Sequence, residues 1–178
     1  FEATHGQALS EHVSLLMARL HTCQWLSATV AQAVIGGINE RLDGSGYPAG
    51  ITGDDINELA KASAGVDVVE AMRRDRPDRP ARTAQQIYRH LLAHPHQFDR
   101  RWMRRYVEHF KVLPVGSLAL FSSDQLAWIL RLDDSGAPAE VVLAQAAEPP
   151  MRDNLGSVLR GDVFERLGKP VREVAVST

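Results

Sequence analysis

The sequence predicts a mainly α-helical body with a short antiparallel β meander near its C-terminus. Three observations carry that reading. Through most of the first 113 residues, apolar side chains recur every three to four positions, the spacing of amphipathic helices. After Pro114-Val115-Gly116 the period changes and the apolar runs become short, separated by Ser, Asp and Gly turn residues. The composition, 44% apolar and 24% charged over 178 residues, is that of an ordinary globular chain long enough to bury a sizeable core.

The first helix is read from Leu9, Val13, Leu16, Met17 and Leu20, with Ser10 as its N-cap. Trp25, Leu26, Val30, Ala33, Val34 and Ile38 make a second, with Ser27 or Thr29 near its start. Gly36-Gly37 is expected to end it, because glycine readily takes the positive φ of a helix C-terminus. A loop over residues 39–50 follows, and a third helix over residues 56–72 carries Leu59, Ala62, Val66 and Val69 on its apolar side. Arg76-Pro77-Asp78-Arg79-Pro80 is not helix interior, since each proline removes a backbone donor and clashes with the preceding turn. Thr83 with Gln86 reads as a capping box opening a helix with Ile87, Leu91 and Leu92. Asp99 caps the next helix, which carries Trp102, Met103, Tyr106, Val107 and Phe110. Residues 117–121, 126–132 and 140–143 read as strands, joined by turns at Ser122-Ser123-Asp124 and Asp133-Asp134-Ser135-Gly136. The expected organisation is a helical domain over residues 1–113, a β meander packed on it over 114–147, and a tail over 148–178.

Charge and cysteine usage narrow the function. A net charge of −2 gives no global field for nucleic acid or an anionic membrane. No apolar run approaches the roughly 18 residues of a membrane span, and the expected location is cytoplasmic. The chain begins at Phe1, not Met, which is read as a fragment or a processed product. Cys23 is the lone cysteine, so neither an internal disulfide nor a cysteine-based zinc knuckle forms, and beside Trp25 and Leu26 it reads as a buried inert thiol. Arg100, Arg101, Arg104 and Arg105 share a helix with Asp99 and Glu108 and read as a solvated face, not a nucleic-acid surface. His90, His94 and His96 show no ligand spacing with a third partner.

The most informative stretch is Asn39-Glu40-Arg41-Leu42-Asp43-Gly44-Ser45-Gly46-Tyr47-Pro48-Ala49-Gly50. Gly44 and Gly46 allow positive φ and close backbone approach. Tyr47-Pro48 sets an aromatic ring, able to stack on a base and donate a hydrogen bond, on a stiffened chain. Asp43 is placed to cap the turn or to pair with Arg41. On local chemistry alone, a rigid helix connector explains the loop as well as a binding site does.

The run Glu40-Arg41-Leu42-Asp43-Gly44-Ser45-Gly46-Tyr47-Pro48 resembles the signature of the HD-GYP family, a branch of the HD metal-dependent phosphohydrolases that hydrolyses the bacterial messenger cyclic di-GMP. Further segments resemble the same family in the same order. Asp67-Val68-Val69-Glu70-Ala71-Met72 is similar to the segment with its later metal-binding aspartate, and Asp75-Arg76-Pro77-Asp78-Arg79-Pro80-Ala81 to its Arg-Pro-Tyr-Arg-Pro stretch. Val112-Leu113-Pro114-Val115-Gly116-Ser117-Leu118 is similar to the start of its small β segment. The resemblance, over residues 12–132, implies an HD-like helical bundle.

It also implies a cluster of two or three metal ions, usually iron or manganese, held by an early His and His-Asp pair, a following His, a His-His pair before the loop, and a later Asp. Such ions want about six N and O ligands each. By resemblance His12 matches the single following His and Asp67 the later Asp. The His-His pair is replaced by Ile38 and Asn39, the first without a lone pair and the second a weak neutral ligand. The early ligands match nothing in this chain, and His5 has no Asp after it. His12 therefore reads either as a vestigial ligand or as a helix-surface histidine, and Asp67 either as a vestigial ligand or as a buried partner of an arginine. Arg76 and Arg79 read either as phosphate ligands, since guanidinium matches phosphate oxygens in pairs, or as an internally paired face. Asp78, where the family has Tyr, opposes a phosphodiester.

The expectation is a degenerate domain of cyclic di-GMP signalling that binds a nucleotide or a protein through Gly46, Tyr47, Pro48, Arg76 and Arg79, without a resident metal. The resemblance names a GGDEF-domain protein as a partner class. The alternative is an active phosphodiesterase, with iron or manganese, completed by upstream residues. A purely structural regulatory module is the third reading.

Overall fold

The structure, a computed structural model, describes residues 2–20, 27–144 and 156–176, with side chains from Glu11 onward. Cys23, Trp25 and Leu26 lie outside the described residues. The chain divides into two compact units, Phe1–Val68 with Leu91–Arg105 and Val69–His90 with Tyr106–Thr178.

The first unit opens with α1 (Glu2–Leu20) and α2 (Ala28–Val34). α1 begins well before Ser10, so Ser10 is a helix residue and not the N-cap. Val13 is buried while Leu15 and Leu16 face outward. Ser27 stands at the N-cap of α2 with extended backbone, and Ala31 and Ala33 are buried. The glycine pair does not end α2 as expected: neither Gly36 nor Gly37 takes a positive φ, and the chain leaves the helix through a right-handed Ile35. The reason for Gly37 is contact. A Cβ there would lie 2.8 Å from the Ala60 Cβ and 2.9 Å from the Ala33 carbonyl.

After a single 3₁₀ turn (Gly53–Asp55), α3 runs over Glu58–Arg73, its residues to Val68 belonging to the first unit. The Asn57 side chain caps it by accepting from the Leu59 N–H at 2.9 Å. Its buried face is Ala60, Ala64 and Val69, whereas Leu59 and Val66 are about half exposed, at 49% and 47%. Val69 is buried as expected, while Ala60 and Ala64 take the inner positions expected of Leu59 and Val66. Alanines on the inner face permit close approach and leave the larger side chains outside.

α4 (Ala84–Ala93) and α5 (Arg100–Phe110) carry the caps read from the sequence. Gln86 Oε1 accepts from the Thr83 N–H at 3.0 Å, and Thr83 Oγ1 accepts from the Gln86 N–H at 3.3 Å. Asp99 Oδ1 accepts from the N–H groups of Arg101 and Trp102. Ile87, Leu91 and Met103 are buried, and Leu92 and Phe110 are exposed.

In the second unit, β1 (Leu118–Phe121), β2 (Leu126–Leu132) and β3 (Pro138–Leu143) form the expected meander. Asp133 Oδ1 accepts from the N–H groups of Ser135 and Ala137, pinning the β2–β3 turn. The sheet is larger than these three strands. β4 (Val158–Leu159) and β5 (Pro170–Val174) extend it to the antiparallel order β4-β3-β2-β1-β5, with the short α6 (Asp162–Glu165) between them. One face packs Phe121, Ile129, Val141 and Leu167 with Phe164, and the other packs Trp128 and Val142 with Val174.

Candidate functional site

The loop over residues 39–50 is held by its own backbone. The Asn39 carbonyl accepts from the Tyr47 N–H at 3.2 Å, and the Leu42 carbonyl accepts from the Gly53 N–H at 3.0 Å. Leu42 N–H donates to the Gln97 carbonyl at 3.1 Å, tying the loop to the segment before α5. Gly44 has φ 76°, a region open chiefly to glycine. Gly46 is required by contact: a Cβ there would lie 2.5 Å from Arg41 N and Glu40 Cα, and closer still to the Asn39 carbonyl. The Tyr47–Pro48 peptide bond is cis.

Two side chains complete the scaffold. Glu40, only 3% exposed, accepts from the Ala49 N–H through Oε1 at 2.7 Å. Its Oε2 is buried and has no partner among the described residues. Asp43 caps the turn, accepting from the Ser45 N–H at 3.0 Å and the Ser45 hydroxyl at 2.6 Å, and these bonds hold its carboxyl below the ordinary value. His96 Nε2 stands 3.8 Å from Asp43 Oδ2. Arg41 makes its hydrogen bonds to backbone, with Asp43 only one of the charges within its reach. Its Nη1 donates to the carbonyls of Ile38 (3.2 Å) and Glu40 (2.9 Å), and its guanidinium lies 5.0 Å over the Phe98 ring.

Arg41, Tyr47 and Asp67 fall within one another's electrostatic reach. Burial lowers the Arg41 guanidinium from its ordinary value, and Asp67 is the largest opposing influence. Burial raises the half-buried Tyr47 phenol, Arg41 opposing and Asp67 adding to the rise. Asp67 therefore has an arginine in range, and Arg41 is the residue that reading the motif position by position missed. Its signal was present: an arginine inside a glycine-rich loop, next to Glu40 and two residues before Asp43. Pro48, Ala49 and Gly50 are exposed beside Tyr47.

His12 is exposed on α1, and Ile38 and Asn39 serve the loop through their carbonyls. Among the described residues no three His, Cys, Asp or Glu side chains come together to hold an ion. The described donors by themselves do not make up the metal cluster that the resemblance implies. Arg76 and Arg79 lie in the other unit, where they close a four-residue turn by reciprocal backbone bonds of 2.9 and 3.0 Å. Arg76 is exposed. Arg79 is half-buried, and its Nη2 donates to the Ala71 carbonyl at 2.7 Å, satisfying the C-terminal end of α3. Asp75 Oδ1 accepts from the Ala81 N–H at 2.5 Å.

A helical domain whose glycine-rich loop is clasped between a short helix and α3 is the class these features define. The sequence model of the HD domain matches residues 2–101, and the chain belongs to the HD domain family. It is 32% identical over 108 residues to the cyclic di-GMP phosphodiesterase PA4108 of Pseudomonas aeruginosa, a match covering 61% of this chain and 26% of that protein. The chain thus spans about a quarter of that relative's length. No helix among the described residues is long and apolar enough to cross a membrane.

Proposed function

We propose that this chain is a regulatory domain of the HD-GYP type in bacterial cyclic di-GMP signalling, acting in the cytoplasm by recognition and not by hydrolysis. The observation that carries it is the contrast at the loop. The Gly46-Tyr47-Pro48 turn is held by its backbone bonds, while Ile38 and Asn39 occupy the positions where the resemblance implies metal ligands and the described donors form no ion site. The loop offers exposed Pro48, with Tyr47 beside it, to a nucleotide or to a GGDEF-domain protein. In the other unit Arg76 and Arg79 are separate candidates for a phosphate, Arg79 with the donors that its bond to the Ala71 carbonyl leaves over.

Calorimetry with cyclic di-GMP in the presence of a chelator tests the ligand, and pull-down with purified GGDEF domains tests the partner. Tyr47→Ala is expected to weaken whichever of these binds by about tenfold, with the unfolding midpoint little changed. The absence of both interactions would leave only a structural role.

A second reading has specific support. The identity to a named phosphodiesterase favours an active enzyme completed by residues outside this chain. It requires bound iron or manganese and turnover of cyclic di-GMP. Less than one metal per chain, together with no turnover in added manganese, would eliminate it for this chain.

A further inference from the structure

Arg41 is the only lysine or arginine in the loop over residues 39–50. It is half-buried, and its guanidinium is engaged with backbone and with a ring. Nη1 donates to the carbonyls of Ile38 at 3.2 Å and Glu40 at 2.9 Å, while the guanidinium carbon lies 5.0 Å over Phe98. The two carbonyls flank that of Asn39, which accepts from the Tyr47 N–H at 3.2 Å. Each peptide unit is a rigid plane, so pinning the planes on either side sets the direction of the Asn39 carbonyl between them. Gly46 rests on the same strip of backbone, where a Cβ would lie 2.5 Å from Arg41 N and Glu40 Cα. The strip is anchored outside the loop at two adjacent residues: Gln97, whose carbonyl accepts from the Leu42 N–H, and Phe98 under the guanidinium. A guanidinium can do both jobs because it is a planar fork of donors with a face that stacks on a ring, whereas an ammonium is a point donor without a plane.

We infer that Arg41 is the positioning residue of the loop, setting the orientation of Tyr47 through the carbonyls on either side of Asn39. This role rests on the recognition reading proposed above and names the residue that aims its tyrosine. Glu40 does the corresponding work at the far end of the turn, on the Ala49 N–H. Two properties separate the role from general support of the fold. It needs the fork and the flat face of the guanidinium, so a positive charge alone does not replace it. Its effect on binding runs through the Tyr47 ring, so it vanishes once that ring is removed.

The test is hydrogen exchange of the 178-residue chain and its Arg41→Met and Arg41→Lys variants, first without any ligand. Arg41→Met is expected to speed exchange of the Tyr47 amide about tenfold. The Met103 amide, bonded to the Asp99 carbonyl in the same unit, is expected to keep its rate. Arg41→Lys keeps the charge without the fork and is expected to exchange Tyr47 about threefold faster than the parent, which reads the same role should Arg41→Met not fold. An unchanged Tyr47 amide, equal acceleration at Met103, or full recovery in Arg41→Lys overturns the proposal. Affinity is then measured for cyclic di-GMP or a GGDEF domain, whichever binds. It is expected to fall about tenfold in Arg41→Met and no further when that change is added to Tyr47→Ala. Additive losses overturn the proposal as well. If neither ligand binds the parent chain, the recognition reading fails by itself, and the exchange rates still decide whether Arg41 positions Tyr47.

Discussion

Gly46 has the least freedom of any residue in the loop. Its missing Cβ is the space through which Asn39, Glu40 and Arg41 pass, and those atoms are backbone that cannot swing aside. Gly46→Ala is expected to destabilise the protein by about 1–3 kcal/mol, the range for forced overpacking, with loss of protection at the Tyr47 amide. Urea unfolding and hydrogen exchange would measure the two effects. Glu40 holds the other end of the same turn. Glu40→Ala removes a hydrogen bond from the Ala49 N–H and is expected to cost about 1–3 kcal/mol. Glu40→Gln keeps an acceptor for that N–H and replaces the unpartnered oxygen with a neutral group, so its cost should be smaller. If the two variants were equally destabilised in urea, the clasp through Oε1 would not be what holds the loop.

Helices α3, α4 and α5 start on side-chain caps that the structure realises atom by atom. Thr83 and Gln86 satisfy one another's N–H groups at the start of α4, so Thr83→Ala is expected to lower stability by about 1 kcal/mol. Thr83→Ser, which keeps the hydroxyl, should recover most of it, and the difference in denaturation midpoint between the two variants measures the cap. In α5 the Asp99 cap works beside a second device. The Trp102 ring lies 5.5 Å from the Arg101 guanidinium and 5.0 Å from that of Arg105, and its Nε1 donates to Glu58 Oε2 at 3.0 Å. Arg101 also pairs with Glu58. The arginine-rich face is thereby tied to a tryptophan and a carboxylate, which supports its reading as a solvated helix face.

At the scale of the whole molecule, the residue that joins most of the second unit is Glu173 on β5. It is 6% exposed and accepts from the Ala84 N–H at 2.7 Å and the Ser117 hydroxyl at 3.0 Å, with Arg73 at 3.6 Å. One carboxylate thus touches the end of α3, the start of α4 and the segment entering β1. Burial raises its carboxyl above the ordinary value, outweighing Arg73 and the hydrogen bonds from Ser117, Ala84 and Gln85. The folded state then holds a proton that the unfolded chain releases. Its contribution is full below about pH 4.5, the ordinary value, and is lost as pH rises through the raised folded value. Glu173→Gln is expected to flatten that part of the profile of unfolding free energy against pH. An unchanged slope in the variant would remove Glu173 as its source. Glu173→Ala, which strands the Ala84 N–H and the Ser117 hydroxyl, is expected to cost about 2–3 kcal/mol in urea at neutral pH.

The sequence by itself determined much of what has its cause within a few residues. The capping boxes, the Asp133 turn, three of the strands, the helix-breaking prolines and the special glycines of the loop all follow from side chains bonding or clashing with their own neighbouring backbone. The proposal that Ile38 and Asn39 stand where the resembled family keeps two histidines also rests on the sequence, since donor atoms belong to residue types and not to folds. The tertiary structure decided what depends on distant partners. In α3 it buried Ala60 and Ala64 beside Val69 and left Leu59 and Val66 half exposed, because close helix approach rewards small side chains that local periodicity does not distinguish. It gave Gly37 its reason in the packing of Ala60, and it set Arg41 between Tyr47 and Asp67. It turned the last residues into two strands, with Glu173 meeting Ser117 and Ala84 across separations of 56 and 89 residues. No local period encodes such a partner; only the closed sheet brings it within a hydrogen bond.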